Sequence, residues 1–245
     1  MRGASHEKVD VPCQDAHQWA AAADGLLVVA VADGAGSALL AEVGALVAAG
    51  AATDSLRESL VHHSGPDRMD DSAWRGLLTE AVMAARNAIE TEASQRGAAL
   101  GDLASTLIVV VAGADFVAAI QVGDGAVVAA QTDGQILSVT RPAQTEYLNE
   151  TVFLTSAEAI ATSQSVVWRG SLAHLAVLSD GLQMAALHMP DGEPHPGFFT
   201  PLFNFLAQQK EDSVAQAALT TFLGSPRLRE RTDDDVTLVI GTLRS

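Results

Sequence analysis

The stretch LLVVAVADGAGS, residues 26–37, places an abrupt acidic turn directly after a continuous apolar run. The run has the length and the β-branched content of a buried strand, and Asp33-Gly34 stands where such a strand passes into a loop. A second stretch, LAHLAVLSDG (172–181), repeats this arrangement and ends in Ser179-Asp180-Gly181. Both stretches predict rigid strands that carry exposed carboxylates at their ends.

Two further acidic motifs, Gln14-Asp15 and Asp233-Asp234-Asp235, also border apolar stretches. If these strands share a sheet, their terminal carboxylates converge, and crowded carboxylates repel one another unless a hard cation neutralises them. An all-oxygen set of this kind suits Mg²⁺ or Mn²⁺. One Asp-Gly pair alone is more often a turn, but acidic residues at several strand ends favour a divalent-metal site with hydrolytic chemistry.

Composition limits the class of protein. The 245 residues contain no Pro-, Gly- or Ser-rich linker, which predicts a single domain over residues 1–245. A formal net charge of -16 disfavours nucleic acid and anionic membrane surfaces as partners. Short apolar runs and a charged N-terminal stretch argue against a membrane span or secretory signal, so a cytoplasmic location is expected. Cys13 has no Arg or Lys shortly after it, which excludes cysteine-based phosphatase chemistry.

Apolar spacing divides the chain into elements. Repeats at three and four residues predict helices over 37–60 and 72–96. From Leu103 the pattern changes to β and predicts sequential hairpins in an antiparallel sheet. Residues 141–165 are irregular and could form a flap, whereas a helix over about 201–223 precedes a final strand over 236–243. Two long helices, a meander, and then strand, helix and strand indicate an α+β layered domain.

Six short segments occur in an order that is more informative than any one of them. They are PCQDA (12–16), VADGAGS (31–37), LASTLIVVVAG (103–113), VGDGAVV (122–128), LSDGL (178–182) and TDDDVTLVI (232–240). Their order resembles the metal-dependent protein phosphatase family, often called type 2C, and GASH (3–6) with EYLNETVFLT (146–155) resembles a bacterial subgroup of it. The resemblance implies a four-layer α-β-β-α sandwich of two antiparallel sheets flanked by helices, with two divalent metal ions, Mn²⁺ or Mg²⁺, in a cleft at one end.

The same resemblance implies roles for individual residues. The metal-associated and catalytic carboxylates that it implies are Asp15, Asp33, Asp180 and Asp234. Gly34 would offer its backbone carbonyl, Asp124 matches a residue linked to a third, weaker metal site, and Asp235 takes a position that is often Asn. The implied activity is that of a protein serine/threonine phosphatase, in which a water that bridges two cations attacks phosphorus. Its partners would be phosphoprotein substrates and an opposing serine/threonine kinase; the oligomeric state stays open.

The chain departs from the family pattern in two places. Ala35 stands where some members carry a His that can act as an acid, and it cannot donate a proton. The Arg that holds phosphate is missing from the stretch before Cys13, where His6, Lys8 and Arg2 are substitutes by location only. His6 is therefore either a contact for the substrate phosphate or a histidine bonded to backbone. Thr106 would support the metal shell or be an ordinary buried residue at a strand start.

Other interpretations fit the sequence less well. A dinucleotide fold lacks its third glycine, since Leu39 stands there, and no GxSxG motif supports serine hydrolase chemistry. The arginines of PRLRER (226–231) are more simply a solvated face than a substrate guide. The alternative that stays open is a catalytically weak phosphatase-like domain that binds or regulates partners.

Overall fold

The computed structural model describes residues 1–22, 25–62, 69–142 and 151–243. Its strands are β1 (Asp15–Ala21), β2 (Leu27–Asp33), β3 (Leu107–Ala112), β4 (Phe116–Val122), β5 (Ala126–Gln131), β6 (Ile136–Thr140), β7 (Gln164–Arg169), β8 (Leu172–Leu178), β9 (Leu187–His188), β10 (Glu193–Pro194) and β11 (Leu238–Thr242). Its α-helices are α1 (Ala4–Val9), α2 (Ala41–His62), α3 (Asp71–Arg96), α4 (Gln183–Ala186), α5 (Pro196–Gln208), α6 (Asp212–Leu223) and α7 (Pro226–Arg229).

Two antiparallel sheets form the centre of the molecule. One has five strands in the order β1-β2-β3-β4-β7, and the other has four in the order β11-β8-β5-β6. Side chains alternate along β2, so that Val28 and Ala30 face the helices whereas Val29 and Val31 face the second sheet. Both faces of the strand are buried, which explains why its sequence is continuously apolar instead of alternating.

Three apolar cores separate four layers. Trp74 of α3 lies in a core between the two long helices and the five-stranded sheet. Val177 of β8 belongs to a second core between the sheets, and Phe199 of α5 to a third core beneath the four-stranded sheet. The predicted α-β-β-α sandwich of two antiparallel sheets flanked by helices is therefore confirmed.

The two long helices pack in different ways. α2 buries an alanine-rich face, and its residues from Ala41 to Ala52 allow close approach to the sheet and to α3. α3 begins after Asp70, whose side chain accepts a hydrogen bond from Ala73 N at 2.8 Å, and ends at Gly97, which has a φ of 65°. The first helix starts four residues later than predicted, because Leu40 N donates to Asp102 O instead of continuing a helical ladder.

The prediction of sequential hairpins in one sheet was wrong at one point. β3 pairs with β4 in the five-stranded sheet, whereas β5 pairs with β6 in the four-stranded sheet. The chain crosses from one sheet to the other at Gly123-Asp124-Gly125. Gly123 has a φ of 104°, a backbone conformation that would be strained for a residue with a side chain. The predicted helix over 201–223 was also wrong in detail, because it is two helices, α5 and α6.

The irregular segment 141–165 is only partly described, because residues 143–150 lie outside the described residues. In its described part, Leu154 is buried in the helix-side core and its N–H donates to Ser105 O at 2.7 Å. Arg86 of α3 donates to the carbonyls of Leu154 and Ser156. That residues 141–165 form a moving flap stays a prediction, as does the assignment of the whole chain to a single domain. Among the described helices, none combines the length and apolarity needed to cross a membrane.

Candidate metal centre

Strand ends from both sheets bring the predicted acidic residues to one edge of the sandwich. Asp15 opens β1 and faces Asp33, the last residue of β2, across the antiparallel ladder. In the other sheet, β8 lies between β5 and β11, so the end of β8 meets the starts of its neighbours. Asp180 follows β8, Asp124 precedes β5 and Asp234 precedes β11. The fold thus places all five predicted acids at the same end.

Asp33 is the centre of this group. It lies two residues beyond Val31, which faces the second sheet, and its side chain therefore points between the sheets. Its carboxyl group hydrogen-bonds the carboxyl groups of both Asp15 and Asp180. Burial, together with repulsion from Asp15 and Asp180, raises the pKa of Asp33 to about 12. Without a cation, Asp33 keeps its proton and shares it with its acidic neighbours.

The pKa values of the other two carboxyl groups, those of Asp180 and Asp15, are raised like that of Asp33. Burial raises the pKa of Asp180 to about 6, with repulsion from Asp124 and Asp234 acting in the same sense. Burial also raises the pKa of Asp15, although hydrogen bonds from Ser179 and others oppose that change. These groups share one cause, since carboxylates brought together in a partly dry site favour their neutral forms.

Close backbone packing fixes where Asp33 and Asp180 lie. Thr106 brackets Asp33, because its Oγ1 accepts from Asp33 N at 3.0 Å and its own N–H donates to Asp33 O at 2.7 Å. A Cβ on Gly34 would lie 2.6 Å from Ala41 O at the start of α2. A Cβ on Gly181 would collide with Asp235 O. Glycine after Asp33 therefore lets the start of α2 approach, glycine after Asp180 lets the backbone of Asp235 approach, and Thr106 supports the backbone of Asp33.

Ser179 joins the two sheets at this edge. Its hydroxyl donates to Asp15 Oδ2 at 2.7 Å and accepts from Thr237 N at 3.0 Å. Asp15 Oδ1, in contrast, is buried, and no N–H or hydroxyl group of the described residues donates to it, so only a carboxyl proton of Asp33 could reach this oxygen. A buried carboxylate oxygen without a donor is costly, so the site has an oxygen that calls for a ligand.

The acidic triplet divides into residues with different surroundings. Asp234 is exposed and accepts from Asp235 N at 2.8 Å, and its charge acts on Asp180 and Asp124. Asp235 is 2% exposed and turns away to accept three hydrogen bonds from the N-terminal part of the chain. Asp235 is thus occupied by structural contacts, whereas Asp234 is open to solvent, and its role as a metal ligand stays a prediction.

Asp124 lies at the crossing between the sheets. Burial raises its pKa, with an opposing hydrogen bond from Thr151, whose hydroxyl donates to Asp124 Oδ2 at 2.9 Å. Gln183 Nε2 donates to the backbone oxygen of Asp124 at 2.6 Å. The residue is therefore held near Asp180 and Asp234, but one of its carboxylate oxygens already has a partner.

Gln14 is a residue that the sequence reasoning missed. Its backbone is fixed on both sides, since its N–H donates to Asp235 Oδ2 at 2.6 Å and its carbonyl accepts from Gly34 N at 3.1 Å. The side chain is 5% exposed, and Oε1 is buried without a hydrogen-bond partner among the residues described. That oxygen lies beside Gly36, 4.0 Å from the position that a Cβ atom on Gly36 would occupy. The signal was present in the Gln-Asp pair, but only the Asp had been given a role.

The donor set fits a hard divalent cation. Within the described ranges, no three His, Cys, Asp or Glu side chains yet enclose a point where a metal ion could sit. The acids instead meet in pairs through Asp33, which interacts with both Asp15 and Asp180. Carboxylate oxygens, an unpaired amide oxygen and a backbone carbonyl are the ligands that Mg²⁺ and Mn²⁺ bind.

The N-terminal residues dock on the acidic triplet. Gly3 N donates to Asp235 Oδ1 at 2.6 Å, and Ser5 donates to Asp233 O from both its N–H and its hydroxyl. His6 Nδ1 lies 2.9 Å from Asp235 Oδ2. The ring of His6 is thus bonded to a carboxylate, which neither of the two sequence-based readings of this residue anticipated.

Two arginines beside α1, Arg2 and Arg229, have structural partners. Arg2 donates to His6 O at 2.9 Å and to Asp10 at 3.1 Å. Arg229 binds both carboxylate oxygens of Glu7 at 2.9 Å. Arg2 therefore supports α1 instead of replacing the missing phosphate-binding Arg, and Arg229 balances local acid as the simpler reading held.

Comparison with known proteins identifies the family of this chain. Residues 2–224 match the family model described as protein phosphatase 2C. The chain belongs to this family. It is 36% identical over 244 residues to serine/threonine-protein phosphatase 3 of Escherichia coli (strain K12), which covers 97% of this chain and 94% of that protein.

Solved structures show that the protein phosphatase 2C fold extends over nearly all of the chain. Serine/threonine phosphatase Stp1 from Staphylococcus aureus superposes with a TM-score of 0.64 at 13% identity, covering 96% of this chain and 90% of that one. The catalytic domain of PstP, a serine threonine protein phosphatase in complex with two manganese ions, gives a TM-score of 0.61 at 18% identity, covering 95% and 93%. At such identities the likeness concerns the fold.

Proposed function

We propose that this protein is a metal-dependent protein serine/threonine phosphatase that hydrolyses phosphoserine and phosphothreonine monoesters. The observation that carries the proposal is the meeting of Asp15, Asp33 and Asp180, from the ends of both sheets, in a chain of the protein phosphatase 2C family. The E. coli relative bears the name of such an enzyme. The alternative of a weakly active binding module is not favoured, because the acidic set is complete.

Two divalent ions, Mn²⁺ or Mg²⁺, are the proposed cofactors. The PstP catalytic domain was solved with two manganese ions, which supports this number. The proposed ligands are Asp15, Asp33, Asp180 and Asp234 with the Gly34 carbonyl. Asp124 is proposed for a third, weaker ion, although one of its carboxylate oxygens already accepts from Thr151. We add Gln14 to the proposed set, because its buried oxygen has no other described partner.

The chemistry follows from charge and position. When bound, two such ions neutralise the acids and lower the pKa of a water so that it can attack phosphorus near neutral pH. The residues of the chain hold the site rigid: Thr106 fixes Asp33, and Ser179 fixes Asp15 against the second sheet. Preorganised groups of this kind need no rearrangement during the reaction, which is where much of the rate enhancement arises.

The proposed partners follow from the reaction. A phosphoprotein is the substrate, an opposing serine/threonine kinase supplies it, and a cytoplasmic location remains part of the proposal. His6 is proposed to reach the phosphoryl group of the substrate, because α1 holds it against the triplet that carries Asp234.

The first prediction is that purified protein releases phosphate from phosphoserine and phosphothreonine peptides when Mn²⁺ is present. Chelator should reduce the rate to the background, because the acids then repel an anionic substrate. Phosphate release measured with Mn²⁺, with Mg²⁺ and with chelator checks this. Equal rates with and without chelator, or no rate with either ion, would contradict the proposed function.

The second prediction concerns Gln14→Leu. Without metal, we expect the free energy of unfolding to rise by about 1 kcal/mol, because a buried acceptor without a partner is replaced by an apolar group of similar size. Affinity for Mn²⁺ should fall in the same variant, as measured by calorimetric titration. Gln18→Leu, an exposed position of β1, is the matched control. Unchanged Mn²⁺ affinity in Gln14→Leu would remove this residue from the ligand set.

A further inference from the structure

Asp235 holds the N-terminal part of the chain in place and is not one of the proposed metal ligands. The side chain is 2% exposed, and both of its carboxylate oxygens are occupied. Oδ1 accepts from Gly3 N at 2.6 Å, whereas Oδ2 accepts from Gln14 N at 2.6 Å and lies 2.9 Å from His6 Nδ1. One oxygen therefore joins the ring of His6 to the residue that precedes Asp15. A carboxylate that accepts this many hydrogen bonds is held in one orientation.

This contact determines which nitrogen of His6 is available. A carboxylate oxygen can only accept, so Nδ1 must carry the hydrogen. The second ring nitrogen, Nε2, is then turned away from Asp235, and across the described residues it has no hydrogen-bond partner. The side chain of His6 is 17% exposed, so Nε2 can meet a molecule that enters from solvent.

The element that carries His6 is held firmly over the acidic end of the sandwich. Glu7, the next residue, is bound by Arg229 through both oxygens, and the carbonyl of His6 accepts from Arg2. Ser5 is bonded to the backbone of Asp233, directly before Asp234. These contacts keep the ring close to the acids, and none of them uses Nε2.

We propose that Asp235 is a positioning residue for His6, and that His6 donates a proton from Nε2 to the seryl or threonyl oxygen that leaves phosphorus. This inference rests on the proposed phosphatase function and gives His6 a specific part in it. The departing oxygen is a strongly basic alkoxide unless it is protonated as it leaves. Ala35 cannot supply that proton, whereas a histidine oriented by a buried carboxylate can.

The step balances as a general-acid-assisted hydrolysis. The attacking water forms a bond to phosphorus while the bond from phosphorus to the side-chain oxygen breaks, and the electron pair of that bond goes to the oxygen. The proton on Nε2 of the doubly protonated ring passes to the same oxygen, which leaves as the free hydroxyl. The ring keeps its hydrogen on Nδ1, bonded to Asp235, and regains a proton on Nε2 from solvent.

The test compares two leaving groups in the full-length protein loaded with Mn²⁺. A phosphoserine peptide needs a proton for its leaving oxygen, whereas the nitrophenolate of p-nitrophenyl phosphate departs without one. For His6→Gln we expect kcat on the peptide to fall by about a hundredfold to a thousandfold, and kcat on p-nitrophenyl phosphate to fall by less than about threefold. Asp235→Asn should show the same dependence on the leaving group with a smaller amplitude.

Asp233→Asn is the matched control, because Asp233 is exposed and its described contacts use only its backbone oxygen. It should keep both rates. Equal losses on both substrates in His6→Gln would overturn the proposal, since a residue that contacts the phosphoryl group without donating a proton, or that only supports the fold, affects both substrates alike. Wild-type protein that is inactive on both substrates would instead reject the phosphatase function itself.

A second measurement covers the case in which Asp235→Asn does not fold. In wild-type protein, nitrogen NMR of the His6 ring should show the hydrogen on Nδ1 at a pH where the ring is neutral. Asp235→Asn, where folded, should lose this preference. A neutral His6 with its hydrogen on Nε2 in the wild type would overturn the role of Asp235.

Discussion

Asp33→Asn is expected to lower the turnover of a phosphoserine peptide by about a thousandfold or more in the presence of Mn²⁺. Asp33 is the carboxyl group that contacts both Asp15 and Asp180, so it lies at the centre of the proposed set of ligands. An amide has the same shape but no charge, and it removes part of the negative charge that binds the ions. Fold should persist, since an amide can donate hydrogen bonds to the carboxylates on either side.

The measurement is kcat/KM on the peptide together with Mn²⁺ affinity from calorimetric titration. Asp191→Asn, the same substitution in an exposed turn, should change neither quantity. Circular dichroism of both variants shows whether the fold is kept. Wild-type turnover in folded Asp33→Asn would exclude this residue from the metal centre.

Much of this site could be predicted from local sequence, because the acids are tied to strand ends. The apolar run before Asp33 fixes a buried strand, and the Gly that follows permits the close approach to α2. The same reasoning applies to Asp180, where Gly181 meets the backbone of Asp235. Motif order along the chain then supplied the family, which the comparisons confirm.

Long-range contacts are what local patterns could not predict. Apolar alternation shows that β4 and β5 are strands, but it does not show that the chain changes sheets at Asp124. The contact of His6 with Asp235 joins residues 229 positions apart. Gln14 was overlooked because an amide carries no charge, although its burial without a partner distinguishes it once the fold is known.

Metal-free protein is expected to lose stability as the pH rises from 7 to 9, and the cause is Asp33. The native state keeps the Asp33 proton up to a pKa of about 12, whereas the unfolded chain loses it near 3.8. Between these values the native state binds one proton more than the unfolded chain. The contribution of Asp33 to stability is therefore greatest below the lower value and falls with rising pH. The expected slope is about 1.4 kcal/mol per pH unit, or about 3 kcal/mol over this window.

The window lies above the range in which the buried histidines and Asp180 titrate, and comparison with Asp33→Asn separates Asp33 from Asp15 and Asp124, whose pKa values are also raised by burial. The pKa values of His17 and His174 are lowered by burial from 6.5, so their contributions rise with pH but are complete near 7. Asp180, with a pKa of about 6, has also lost most of its proton by pH 7, and burial raises the pKa of Cys13 above 9.0.

Denaturant unfolding in chelator at pH 7, 8 and 9 measures the slope of stability against pH, and Asp33→Asn should flatten this slope. Saturating Mn²⁺ should also remove the fall, because metal binding displaces the proton and becomes stronger at higher pH. A wild-type slope equal to that of Asp33→Asn would show that the carboxyl group of Asp33 is already ionised without metal, and that the crowding of acids at this end of the sandwich is relieved in another way.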